Sequence, residues 1–116
     1  MIRKKGTYKI DIRKQMMGGL GQFVVENILN PDEMHEKGRL FARGTLAPGC
    51  TVGYHVHDKD MEICHFLSGS GQVRDQDGVV TTVGAGDTNI VEVGQGHEIV
   101  NTGDTDLVYI ALILYK

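Results

Sequence analysis

Turn signals cut this chain into short pieces. Pro48-Gly49, Ser68-Gly69-Ser70-Gly71, Asp75-Gln76-Asp77-Gly78, Gly84-Ala85-Gly86-Asp87, Gly94-Gln95-Gly96 and Thr102-Gly103-Asp104 follow one another at close spacing. Sixteen glycines stand against two prolines, roughly twice the average share of glycine. They are spread along the chain, which suits turns between strands rather than a flexible linker. Between the turns lie apolar, β-branched or alternating runs. They are Tyr8–Ile12, Gln22–Leu29, Leu40–Leu46, Thr51–His57, Met61–Leu67, Gly71–Arg74, Val79–Val83, Thr88–Val93, His97–Asn101 and Leu107–Tyr115. Asp77-Gly78, between two such runs, is a tight hairpin signal. One helix is predicted, over Pro31–Lys37, with Asn30 as its N-cap and Pro31 at the first helical position. Many short strands at even spacing predict an all-β sandwich or barrel. No repeat, low-complexity tract or composition break divides residues 1–116, so one domain is expected.

Charge and hydropathy narrow the function classes. The formal net charge is -3, and the one basic cluster, Arg3-Lys4-Lys5, is short and terminal. No nucleic-acid partner is expected. The longest apolar run, Leu107–Tyr115, is too short to span a bilayer as a helix. No apolar segment follows the basic N-terminal residues, so no signal peptide, no membrane partner and a cytoplasmic location are expected. The two cysteines, Cys50 and Cys64, are read as reduced thiols. The Leu107–Tyr115 run is apolar on both parities, which predicts cover on both faces. A second subunit would supply that cover, and so would an N-terminal strand of the same chain.

The chemistry concentrates in GYHVHDKDMEICHFLSG, residues 53–69. In a strand, residues two apart share a face, so His55 and His57 project together. Asp58–Met61 suits a four-residue hairpin loop, which would set His57 opposite Glu62, with Cβ atoms roughly 4.5–5.5 Å apart. Two imidazoles and a carboxylate suit Fe, Mn, Co, Ni or Zn, and no thiolate pattern suggests a structural cysteine-type zinc site. The best further donor is His97, after the Gly94-Gln95-Gly96 turn. His35 falls in the predicted helix, and His65 has the opposite parity to Glu62. Taken locally, a His-x-His pair is also a common hydrogen-bonded surface pair, and this pattern leaves both readings open.

Two spaced motifs then match a family. Gly49, His55, His57, Glu62 and Gly69 fit the first cupin motif (residues 49–69). Gly86, Gly94, His97 and Asn101 fit the second (residues 86–101). Glu92 stands where the second motif usually has proline. The flanks, NPDEM and GRLFARGTLAPGCTVGYHVH, resemble small single-domain cupins of the oxalate-decarboxylase-like group. The resemblance implies a double-stranded β-helix, or jelly roll. It implies one divalent transition metal per chain (Mn, Fe, Ni, Co or Zn) held by His55, His57, Glu62 and His97. It also implies a small organic ligand and, commonly, a homodimer.

Fold and metal leave the reaction open. A metal-dependent enzyme acting on a small carboxylate- or sugar-like molecule is one expectation, as a decarboxylase, isomerase or dioxygenase. A non-catalytic cupin that binds or senses a small molecule is the alternative, and a module whose metal is purely structural is another. Arg43, Cys64 and Phe66 are the candidate pocket-lining residues beyond the ligands: Arg43 either as an inward anion anchor or as a solvated surface charge, the other two by their shared parity with Glu62, with packing the alternative role for Phe66. No connection is long enough to be an obvious lid. Met16–Gly21 is read either as a cover for the barrel mouth or as a plain loop.

Overall fold

The computed structural model describes residues 1–116. All ten runs form strands: β1 (Ile10–Lys14), β2 (Gln22–Leu29), β3 (Gly38–Leu46), β4 (Thr51–Val56), β5 (Asp60–Ser68), β6 (Ser70–Asp75), β7 (Val80–Gly84), β8 (Thr88–Val91), β9 (Gly96–Val100) and β10 (Leu107–Tyr115). A six-stranded sheet in the order β1-β2-β3-β10-β5-β8 faces a four-stranded sheet in the order β4-β9-β6-β7. Every strand pairing is antiparallel. Strict alternation fills the space between them. Phe23, Leu40, Leu46, Phe66, Leu107 and Tyr109 from the large sheet meet Val52, Val73, Val83 and Ile99 from the small one. Phe23 stacks on Tyr109 with ring centroids 5.5 Å apart. The β6–β7 hairpin closes at Asp77-Gly78 as the sequence predicts, with the Gly78 N–H donating to the Asp75 carbonyl at 3.1 Å.

β10 sits in the middle of the large sheet, between β3 and β5. Its inward row, Leu107, Tyr109, Ala111 and Ile113, is buried. Its outward row continues across four strands: Phe41, Leu112, Ile63 and Ile90 are successive neighbours on the outer face. The N-terminal strand does not lie over this face. β1 instead extends the sheet beside β2.

Two local expectations change. The Pro31–Lys37 helix is a single 3₁₀ turn, Pro31–Met34. Asn30 and Pro31 do start it, and the Asn30 N–H donates to the Glu33 carboxylate at 2.7 Å. His35 and Glu36 then adopt left-handed backbone, with φ of 52° and 60°. The chain must enter β3 at once, because the Tyr115 N–H already bonds the Lys37 carbonyl at 2.9 Å. The Asp58–Met61 segment is also not a hairpin loop. β4 pairs with β9, and β5 pairs with β10 and β8. The connection is a corner between the two sheets, and β5 begins already at Asp60. No helix is long and apolar enough to cross a membrane.

Candidate metal centre

A β-bulge brings the two neighbouring histidines inward. In the β4–β9 ladder Val52 pairs with Ile99, and His55 pairs with His97. Between these two pairs β4 advances three residues and β9 only two, so β4 carries one extra residue. Uniform alternation would send Val52 inward and His55 outward. The extra residue at Gly53-Tyr54 resets the phase, a common use of bulges beside functional sites. Val52 and His57 are both buried, while Tyr54 between them is exposed.

His55, His57, Glu62 and His97 converge from β4, the corner after it, β5 and β9. Their donor atoms all lie within 4.8 Å of one another. Each imidazole is held through its other nitrogen. His55 Nδ1–H donates to the Gly53 carbonyl at 2.8 Å, and His57 Nδ1–H to Asp60 Oδ1 at 2.6 Å. His97 Nδ1–H donates to Asn89 Oδ1 at 2.7 Å. Carbonyl and carboxylate oxygens only accept, so these bonds fix the tautomer. In the neutral rings all three Nε2 atoms are then bare lone pairs.

Those lone pairs face one another. His97 Nε2 is 3.2 Å from His55 Nε2 and 2.8 Å from Glu62 Oε1. His57 Nε2 is buried with no hydrogen-bond partner, and Glu62 Oε1 is 3.4 Å away. Burial lowers His55, which favours its neutral form. Burial alone would raise the Glu62 carboxyl; the imidazoles of His57 and His97, in their protonated form, outweigh it by hydrogen bonding and hold it down at about 2. Three nitrogen lone pairs and one carboxylate in a buried space repel unless a cation lies among them. The donor set therefore fits a divalent transition metal, with the fixed ring orientations that such sites require.

The supporting residues escape a reading from ligand spacing. Asp60 lies inside the segment read as a loop, and it carries His57 on one oxygen and Arg39 Nε on the other at 2.7 Å. Burial raises Asp60, but hydrogen bonds from Arg39 and His57 bring it below its ordinary value. The turn before β9 grips His57 as well. The Gly94 N–H donates to the His57 carbonyl at 2.6 Å, and the His57 N–H donates to the Gln95 carbonyl at 2.9 Å. Glu92, the departure from the second motif, keeps an N–H that proline would lack. Gln95 Oε1 accepts it at 3.0 Å, so the turn stays closed.

The centre opens into a cavity of about 30 Å³. Apolar walls come from Leu40, Val52, Ile99 and Ile113, and Tyr109 joins them. Met16 and Met17 also line the cavity, with Met17 still 54% exposed, so the Met16–Gly21 segment partly covers it. It is pinned to β4 by the Thr51 N–H to the Leu20 carbonyl at 2.9 Å and the Leu20 N–H to Thr51 Oγ1 at 2.7 Å. Gly53 makes this possible, since a Cβ there would overlap the Met17 carbonyl oxygen.

The other expected lining residues lie elsewhere. Arg43 is exposed on the outer face of the large sheet, paired across strands with Glu26. Its β3 parity follows Phe41, opposite to the buried Leu40 and Ala42. Cys64 and Phe66 do point inward with Glu62, but both belong to the apolar core below the cavity. Burial pushes the Cys64 thiol up, and Glu62 adds to the effect, so it stays a neutral thiol. In place of Arg43, the cavity holds Arg13 and Arg39.

A metal-binding centre at one end of a two-sheet jelly roll defines a class, and the chain belongs to the cupin family. The sequence pattern of the cupin domain matches residues 42–113. The chain is 41% identical over 99 residues to an oxalate-binding protein of Thermotoga maritima, covering 85% of this chain and 81% of that one. It superposes on the crystal structure of a predicted oxalate decarboxylase from Thermotoga maritima with a TM-score of 0.93 and 36% identity, over 100% of both chains. A more distant likeness, 15% identical with a TM-score of 0.77, is a polyketide cyclase from Streptomyces resistomycificus. It covers 100% of this chain and 81% of the other, and it shows the fold alone.

Proposed function

We propose that this protein binds a small carboxylate at a divalent transition metal held by His55, His57, Glu62 and His97. The observation that carries this reading is the buried His57 Nε2 with no partner, set among two more Nε2 lone pairs and the Glu62 carboxylate. When bound, the metal would supply Lewis acidity toward a carboxylate or carbonyl oxygen. The chain's own groups do the rest: Asp60, Asn89 and the Gly53 carbonyl orient the rings, and Met16 and Met17 partly shield the cavity. Cavity size favours one of the two ligand classes. A single water requires roughly 10–15 Å³, so about 30 Å³ holds two or three water-sized groups and favours a small acid over a sugar. A sugar would have to displace the methionine cover. The relative described as oxalate-binding agrees with the acid class.

Turnover is a second reading, as a decarboxylase, isomerase or dioxygenase. Four protein donors leave positions on a six-coordinate ion for ligand and co-reactant, which favours it. Against a decarboxylase stands the lining, where Glu62 is the sole carboxylate and is already a ligand. A proton for the product would have to come from another group. The test is a thermal-shift titration with small acids and sugars, run on metal-loaded and chelator-treated protein. A Tm rise with short acids in the loaded form alone supports the reading. A rise with sugars only, or an identical rise after chelation, removes it. Release of carbon dioxide or a shortened acid from the same mixtures separates turnover from binding.

The reading includes a homodimer formed through the large sheet. The outer row Phe41, Leu112, Ile63 and Ile90, flanked by exposed Ile10 and Ile12, is an apolar face of the kind that oligomers bury. Leu112→Lys should shift the sedimentation coefficient to that of a monomer. The two free cysteines fit a reducing cytoplasmic setting.

A further inference from the structure

The lining of the metal cavity includes two arginines that the ligand set does not use, and they differ in one respect. Arg39 is already matched, because its Nε donates to Asp60 at 2.7 Å and Asp60 in turn orients His57. Arg13 has no such carboxylate. The arginine ion pairs of the molecule engage Arg3, Arg39 and Arg74. Asp11, the neighbour of Arg13 on the same face of β1, accepts instead from Asn27 Nδ2 at 3.0 Å.

The fold places Arg13 in the cavity wall. On β1, Asp11 and Arg13 are half-buried, while Ile10, Ile12 and Lys14 are exposed. Arg13 pairs across strands with Phe23, whose ring also lines the cavity. Two residues later the chain turns into the Met16–Met17 cover. Arg13 therefore stands at the root of the cover, in the cavity wall, with its positive charge unbalanced. A half-buried guanidinium in an apolar wall is costly unless an anion meets it.

Charge then defines the ligand. A divalent cation on three neutral imidazoles and one carboxylate leaves a single net positive charge at the centre. Arg13 adds a second, and Arg39 is cancelled by Asp60. A short acid with two negative groups matches both charges, and its size matches the cavity. Resting on the carboxylate-binding reading above, we propose that Arg13 is the specificity-determining residue for doubly charged short acids. It takes the carboxylate that the metal leaves free, through the two-donor fork that guanidinium presents to carboxylates.

The test uses isothermal titration calorimetry on full-length, metal-loaded protein, with oxalate and acetate as probes and metal content measured on each sample. Wild type should bind oxalate more tightly than acetate. Arg13→Gln should lose about 10- to 100-fold in oxalate affinity, the range expected for a hydrogen bond to a charged group. Its acetate affinity and its metal content should stay as in wild type. Unchanged oxalate affinity in Arg13→Gln overturns the proposal, and so does an equal loss for both acids. If Arg13→Gln fails to fold, Arg13→Lys decides: it keeps the charge without the fork, so the oxalate-to-acetate preference should fall. An unchanged preference overturns the assignment. A wild type that is full of metal and binds neither acid removes the carboxylate reading itself, and Arg13's role with it. That result differs from one in which wild type and variant bind alike.

Discussion

Strand β9 carries a buried polar side chain at one end and, one residue beyond its other end, a second. The two are in opposite states. Asn101 is fully satisfied within the protein. Its Nδ2 donates to the Leu46 and Thr105 carbonyls, both at 2.8 Å, and its Oδ1 accepts the Gly103 N–H at 2.9 Å. His97 is satisfied on Nδ1 alone, and its Nε2 faces two other electron-rich groups. Both are 2% exposed or less, so burial does not separate them. What separates a structural polar group from a binding one is where its last lone pair points. The Asn101 bonds close on backbone and fix the turn into β10. The His97 bond leaves an orbital directed at a space that a cation fits.

The strongest way to break this comparison is to remove the open lone pairs. His55→Ala with His97→Ala should lose nearly all bound metal, read by elemental analysis of protein purified without chelator. A double variant that kept one metal per chain would end the site assignment. Asn101→Ala should behave in the opposite sense. It removes the partner of the buried Leu46 carbonyl, of the Thr105 carbonyl and of the Gly103 N–H and should cost about 1–3 kcal/mol of stability, with metal stoichiometry intact in the folded fraction. Metal loss at unchanged Tm would show that the two ends are not independent.

Sharper tests act behind the ligands. Asp60→Asn keeps an acceptor for His57 Nδ1–H but removes its charge. Loss of such a supporting carboxylate typically weakens metal affinity about 10- to 100-fold, measured by competition with a chromophoric chelator; an unchanged affinity would reduce Asp60 to a partner of Arg39. The smallest effect concerns the thiols. Cys50 is half-buried and Cys64 fully buried, with its thiol pushed up. Alkylation of native protein at neutral pH should modify Cys50 first and reach Cys64 only with unfolding. Equal rates at the two cysteines would mean that the core beneath Glu62 opens in the native state.

Much of the fold was legible because alternation and turn chemistry are local. Each of the ten runs became a strand, and Asp77-Gly78 closed the hairpin it signals. The four donor residues were legible for a related reason: the glycine-framed spacing of both cupin motifs stands in the chain itself. Parity also placed Cys64 and Phe66 inward with Glu62. It failed to say how deep they lie, because period two reports a face and not a position along the barrel.

What the sequence alone determined is therefore the class: an all-β jelly roll with three imidazoles and a carboxylate on its inward faces. Partners were left to the tertiary structure. His57 meets Glu62 across a corner between two sheets rather than across a hairpin, since nothing local says which strand pairs with which. His55 turns inward through a bulge at Gly53-Tyr54 that only the β9 register reveals. Arg13 replaces Arg43 at the cavity because β1 joins the sheet edge near the mouth, while the β3 parity of Arg43 sends it outward. Asp60 orients His57 from three residues away, whereas Asn89 comes to orient His97 only through the packing of β8 beside β5. Side-chain alternation is written into consecutive residues. The meeting of distant strands depends on how two sheets share one core, and that is a property of the whole chain.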